Sequence, residues 1–320
     1  MKQEPLSFQN IEDARSRVDP VFLNSPLLRA EAHGLSIAAK DETTNPIKSF
    51  KGRGTSYFLA RGVAGGQKLV TASAGNFGQG LAYNASRAGC PLIVFSSVNA
   101  SPVKIAAMRS FGAEVRLEGD DFDAAKEAAR NYAKTQNCPF VEDGALEEIA
   151  EGAGTIAVEL LEEAGPLDAV IVPLGNGALA AGVGCAIKAM APQTQVIAVA
   201  AKGAPCMALS WQEQKVIETE EADTIADGIA VRIPVPEALD WLRDTIDEIV
   251  LVEDADILQA MRFAYDSWGR IVEPAGAAGL AGILKLSARL EGRRVGTILC
   301  GGNLTEDQIS NWLPAAKAPN

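Results

Sequence analysis

Ala169-Val170-Ile171-Val172-Pro173-Leu174-Gly175-Asn176-Gly177-Ala178-Leu179-Ala180-Ala181-Gly182, continued without a charge to Ile187, is as long as a membrane span. Pro173 and the Gly175-Asn176-Gly177 triplet break it in the middle. It therefore reads as a buried strand, a glycine loop and a buried helix. Short β-rich runs alternate with Ala-rich helical segments on either side. Lys68-Leu69-Val70-Thr71, Leu92-Ile93-Val94-Phe95, Glu114-Val115-Arg116-Leu117, Val196-Ile197-Ala198-Val199 and Thr297-Ile298-Leu299 read as further strands. Strands separated by helices predict an α/β protein with open, mostly parallel sheets and helices on both faces. Three strand and helix units fall between about Lys51 and Phe140, and a second series starts near Asp168. The expected organisation is a large domain from residues 1–46 and 149–320, with a small domain at 47–148 inserted in it.

The chain has 320 residues, a formal charge of -12 and a pI near 4.7. Its basic residues are scattered, and Arg293-Arg294, the one adjacent basic pair, reads as a solvated strand start. Nucleic acid and anionic membranes are therefore not expected partners. The five cysteines lie far apart and form no C-x-x-C pair, which disfavours a disulfide framework. The polar start Met1-Lys2-Gln3-Glu4-Pro5 lacks a secretory h-region, and a cytoplasmic location is expected. Glu218-Thr219-Glu220-Glu221 reads as a solvated turn.

Three loops that follow strands carry the chemistry, because open α/β sheets place ligands there. Ser73-Ala74-Gly75-Asn76-Phe77-Gly78 runs into an apolar helix, whose first amides offer a site for a carboxylate, although a simply capped helix has the same sequence. Gly175-Asn176-Gly177-Ala178-Leu179 offers successive amides and small residues, suited to a phosphate ester. It matches neither the P-loop nor the dinucleotide pattern. Cys300-Gly301-Gly302-Asn303 places a thiol either in the core or against a heteroaromatic nitrogen.

Upstream, Ser49-Phe50-Lys51-Gly52-Arg53-Gly54 holds a lysine between an aromatic residue and two glycines where a helical pattern begins. An amine that attacks a carbonyl gains from desolvation, close backbone approach and a neighbouring cation, and Arg53 is the cation at hand. Alone, the hexapeptide fits a solvated lysine equally well. With a carboxylate loop, a phosphate cradle and a neutral ring partner, it describes a pyridoxal-phosphate site.

The chain resembles the fold-type II pyridoxal-phosphate enzymes, and among them the serine/threonine dehydratase and serine racemase group. The carriers are Ser25-Pro26-Leu27, the Lys51 hexapeptide, the three loops, Thr224-Ile225-Ala226-Asp227-Gly228-Ile229-Ala230-Val231 and Glu273-Pro274-Ala275-Gly276-Ala277. The resemblance implies that Lys51 bonds the cofactor beside Phe50 and acts as the catalytic base. It implies that Asn76 meets the cofactor's 3-hydroxyl oxygen, that Gly175, Asn176, Gly177, Ala178 and Leu179 hold the phosphate, and that Cys300 meets the pyridine nitrogen. Ser73, Ala74, Gly75, Asn76 and Phe77 would bind the substrate, and Asp227 would read its amine or hydroxyl, although Asp-Gly is also a plain turn. The large domain would bind the cofactor and the small one would carry the carboxylate loop. A homodimer is implied as well.

Several positions depart from the family pattern. Phe77 stands where a histidine is common, and the only histidine, His33, reads as decoration of a surface turn. Ala74 occupies the place of the second serine base of serine racemases, which disfavours racemisation. Ala200 to Met207 contains no carboxylate, so no metal is expected. Lys202 there reads as solvated. Only 17 residues follow Asn303, too few for a regulatory domain. The implied reaction is β-elimination of a β-hydroxy L-amino acid such as threonine or serine to a 2-oxo acid and ammonia, with bulkier substrates open. β-Replacement or threonine-synthase-like chemistry and a non-catalytic amino-acid or cofactor-binding protein are the alternatives.

Overall fold

The computed structural model describes residues 5–313, so Met1 to Glu4 of the polar start and the last seven residues lie outside it. Helix α1 (Phe8–Arg17) leads to a hairpin of β1 (Leu27–Ala32) and β2 (Leu35–Asp41). His33 and Gly34 turn it with φ of 52° and 72°, so the exposed histidine does decorate a turn. Lys51 then opens α2 (Lys51–Gly62). β3 (Leu69–Ala72), α3 (Asn76–Arg87), β4 (Leu92–Ser96), α4 (Pro102–Ser110), β5 (Glu114–Leu117) and α5 (Phe122–Gln136) follow in strict alternation. β3, β4 and β5 form a parallel three-stranded sheet.

α6 (Glu147–Ala164) carries the chain to β6 (Ala169–Pro173), α7 (Ala178–Met190), β7 (Gln195–Ala201), α8 (Cys206–Gln212), α9 (Pro236–Thr245) and β8 (Glu248–Val252). α10 (Asp254–Trp268), α11 (Pro274–Lys285), β9 (Arg294–Leu299) and α12 (Glu306–Trp312) complete it. The second sheet has six strands in the order β1-β2-β9-β6-β7-β8, parallel except where β1 meets β2. Val170 and Val172 of β6 belong to one core cluster and Ala169 and Ile171 to another. Both faces of this sheet are therefore covered, as a parallel sheet requires.

The uncharged stretch from Ala169 resolves into β6, its loop and α7. Among the described residues, no helix is long and apolar enough to cross a membrane. α7 lies tightly on α6, since a Cβ on Gly182 would stand 1.9 Å from the carbonyl oxygen of Ala150. β1, β2 and β8 lie outside the strand runs recognised above. β2 was obscured because it buries Lys40 and Asp41, charges that pattern reading assigns to a surface. In position, the loops after β3, β6 and β9 converge on one cleft.

Candidate active site

A cavity of about 480 Å³ joins the three loops and is lined by Lys51, Ser73, Asn76, Gly175, Asp227 and Cys300 among others. Phe50, Ala74, Gly75, Phe77, Asn176, Gly177, Ala178 and Leu179 line it too, so the residues expected to touch cofactor or substrate border one space. Its size lies within the range of ligand pockets.

Lys51 is the first residue of α2, and the segment before it is pinned to the end of β9. The amide of Phe50 donates to the carbonyl of Cys300 at 3.0 Å, and Ser49 bridges Gly301. The side chain of Lys51 is 14% exposed, with Nζ 4.6 Å from the ring centre of Phe50 and 5.8 Å from that of Phe77. Nζ donates to Oδ2 of Asp143 at 2.6 Å, and Asn176 Nδ2 donates to the same oxygen at 3.3 Å. Oδ1 of Asp143 is buried and has no hydrogen-bond partner among the described residues. The following Gly144, at φ 88°, packs so close that a Cβ would stand 2.8 Å from the carbonyl oxygen of Asn176. Asp143 thus bridges the lysine and the phosphate-type loop. It escaped the sequence reading because Asp143-Gly144 has only the signal of a turn.

Arg53 corrects an expectation. It is fully buried and its guanidinium turns into a network below α2. Nε and Nη2 donate to Glu42 at 3.0 and 2.7 Å, and Nη1 and Nη2 donate to Glu159 at 2.5 and 2.9 Å. Two carboxylates match its charge, so it is not the cation that tunes Lys51.

The carboxylate-type loop is shaped by Ser73, whose Oγ accepts from the amides of Gly75 and Gly78 at 3.2 and 2.9 Å. Among the described residues no partner engages the amides of Ala74, Asn76 and Phe77. Asn76 donates through Nδ2 to Glu273 Oε1 at 2.5 Å, and its Oδ1 accepts from Asn303 Nδ2 at 2.9 Å. Glu273 is buried, and a Cβ on Gly301 would meet its Oε1 at 2.4 Å, so the carboxyl would have to shift for any larger residue there. Burial, then the charge of Asp227, pushes Glu273 up to about 7, against the opposing pull of Lys104 and the hydrogen bonds from Asn76 and Asn303.

An acid held above its ordinary 4.5 is favoured protonated in the folded state. Its contribution to stability is complete below about 4.5 and is lost as pH rises through about 7. Thermal unfolding of the apoprotein followed from pH 5 to pH 8 should therefore slope downward across this window. Glu273→Gln, which has no proton to lose, should flatten that slope. An unchanged slope would remove Glu273 as its source.

The phosphate-type loop leaves the amides of Gly175 to Leu179 without partners among the described residues. Gly177 sits at φ 103°, a conformation glycine adopts at little cost, and it turns those amides inward at the head of α7. Cys300 is 5% exposed. Burial, followed by the charges of Glu273 and Glu42, pushes its thiol well above its ordinary value, so it is a neutral group. An amine, an anion cradle and a neutral thiol facing one cavity fit a pyridoxal phosphate, whose aldehyde Lys51 would meet and whose phosphate the loop of Gly175 to Leu179 would hold. Lys202 stands apart, exposed and paired with Glu253.

The family model described as "Pyridoxal-phosphate dependent enzyme" matches residues 18–301. The chain is 34% identical over 301 residues to the L-threonine dehydratase biosynthetic IlvA of Escherichia coli, covering 92% of this chain and 55% of that protein. It is 34% identical to the L-threonine ammonia-lyase of Geobacter sulfurreducens, covering 95% of this chain and 77% of the relative. The chain thus spans about half the length of the Escherichia coli enzyme and about three quarters of the Geobacter sulfurreducens one. Among solved structures, the processed form of threonine deaminase isoform 2 from Solanum lycopersicum superposes with a TM-score of 0.89 at 28% identity, covering 98% of this chain and 90% of that one. Maize serine racemase gives 0.90 at 25% identity, with 98% of both chains covered.

Proposed function

Because the chain belongs to the pyridoxal-phosphate dependent enzyme family, we propose that it eliminates water from a β-hydroxy L-amino acid, and that the resulting enamine is hydrolysed by water to a 2-oxo acid and ammonia. The observation that carries this is the position of Lys51 Nζ, 2.6 Å from Asp143 and against the loop of Asn176, inside the cavity shared by both anion-type loops. When bound, pyridoxal phosphate supplies an electron sink that makes the α-proton acidic and allows the β-substituent to leave. The chain's own residues do the rest. The amides of Gly175 to Leu179 fix the phosphate. Those of Ala74, Asn76 and Phe77 orient the substrate carboxylate so that the α-proton faces Lys51. Nζ of Lys51 takes that proton as general base, with the Asp143 carboxylate as its hydrogen-bond partner. Phe50 and Phe77 shield Nζ from water. Cys300, held neutral by burial, would meet the ring nitrogen without the charge a carboxylate brings, which would disfavour transamination.

Curated relatives named threonine dehydratase and threonine ammonia-lyase support elimination over replacement. A small domain at 47–148 carrying the carboxylate loop, and a homodimer in the cytoplasm, are the setting we assign to this activity. The resemblance supports the dimer, and five free thiols agree with a reducing compartment. The test is a screen of serine, threonine and β-hydroxy amino acids of increasing size for 2-oxo acid, run beside phosphate release from O-phosphohomoserine. Oxo acid from at least one β-hydroxy substrate is expected. Phosphate release without oxo acid would replace elimination by threonine-synthase-like chemistry, and silence in both arms would leave a non-catalytic protein.

A further inference from the structure

Lys104 lies in the first turn of α4, outside every motif recognised in the sequence. Its side chain is 16% exposed, and Nζ stands 3.9 Å from the point a Cβ on Gly75 would occupy. Its partner is Asp227, whose side chain is 60% exposed and which reaches across from the opposite wall of the cavity. Beside it are the unengaged amides of Ala74, Asn76 and Phe77. One largely buried cation and three free donors therefore meet at a single edge of the cavity, where an internal carboxylate supplies the only full negative charge paired with that cation among the described residues.

We propose that Lys104 binds the α-carboxylate of the substrate, and that Asp227 is an internal stand-in which the carboxylate displaces. The proposal rests on the amino-acid substrate assigned above. Exchange of partners is favourable because Lys104 is never left buried without a counter-charge, which is the expensive state. Asp227 returns to water at small cost, since most of its side chain is already there. The net gain comes from the three amides, which Asp227 does not engage. A second ion pair, Arg232 with Asp123, joins the same two walls. It holds the segment around Asp227 in place when that residue releases Lys104. Glu273, the buried acid beside Asn76, feels both members of the first pair. Lys104 thus balances charge at the loop before and after the exchange.

The experiment measures binding to the holoenzyme through the cofactor's absorbance, using L-alanine against L-alaninamide. Neither has a β-hydroxyl, so the result stands whether or not the chain eliminates water, and failure of the elimination reading is seen separately in the oxo-acid screen. Lys104→Met should weaken L-alanine about 10- to 100-fold while shifting L-alaninamide by about twofold or less. Asp227→Asn, which removes the competitor, should tighten L-alanine about three- to tenfold. With a reactive substrate, Lys104→Met should raise KM far more than it lowers kcat. Equal weakening of the acid and the amide would mean that Lys104 only supports the fold. An unchanged acid-to-amide ratio, or weaker L-alanine binding in Asp227→Asn, would overturn the proposal.

Discussion

Lys51→Ala is expected to abolish the borohydride-stable pyridoxyl label on the chain and to lower turnover about a thousandfold or more. In the function proposed above two roles fall on Nζ, bonding the cofactor and moving the α-proton, and removing the side chain would delete both. The other lysines lining the cavity do not substitute for it. Lys104 is paired with Asp227 across the cleft, and Lys126 is paired with Glu142. Lys51 alone lies between two aromatic rings and within reach of the Asn176 loop through Asp143. Mass spectrometry of the reduced, digested protein should place the label on the peptide containing Lys51 in the wild type and on none in the variant. A label that persists on another lysine, with turnover retained, would end the assignment. Lys51→Arg separates charge from chemistry, since it keeps a cation beside Asp143 but no amine able to bond an aldehyde.

The parts of the site visible in the sequence are those where local chain order carries the chemistry. The loops after β3, β6 and β9 each join a strand to small or polar residues at a ligand-binding edge, and periodicity with glycine placement is enough to find them. Asp143, Glu273, Lys104 and Asn303 complete the same cavity or its wall through partners far away in sequence. Asp143 meets Lys51 across 92 positions, and Glu273 meets Asn76 across 197. No periodic signal encodes such a meeting, and each residue alone resembles a turn, a cap or a surface charge. Glu273 is the instructive case. It heads α11 next to Pro274, where an acid has an ordinary helix-start explanation, yet its carboxyl is buried between Asn76 and the amide of Asn303. Arg53 fails in the other direction. Two positions after Lys51 on a helix, it projects from a different side, and nothing in the hexapeptide reports that its carboxylate partners come from Glu42, just after β2, and from α6.

That misplaced arginine gives the largest expected effect on stability. Arg53 makes paired bonds to Glu42 and to Glu159, with Thr155 and Ser25 taking further donors at 3.1 and 3.2 Å. Lys40 joins through Glu159 at 3.0 Å. Burial disfavours the charged guanidinium, yet Glu42 and Glu159 outweigh it and hold Arg53 above its ordinary value. Burial also pulls Glu159 upward, and the hydrogen bond and charge of Arg53, the amide of Asn24 and Lys40 together bring it below the usual 4.5. Arg53→Met leaves two buried acids with one nearby cation, at a cost of about 3–5 kcal/mol in urea unfolding near neutral pH. Cofactor retention should fall with it, because the network anchors the helix that starts at Lys51. The sign of the pH dependence distinguishes this cause from lost packing. In the wild type the stability due to Glu159 is present above about 4.5 and is lost as pH falls through its lower folded value. In Arg53→Met the same acids are relieved by protonation, so the gap between variant and wild type should narrow on acidification. Adding Glu42→Gln and Glu159→Gln should recover much of the loss at neutral pH, since the penalty belongs to uncompensated charge. A gap that stays constant with pH, or a triple variant no more stable than Arg53→Met, would assign the effect to the shape of the side chain instead.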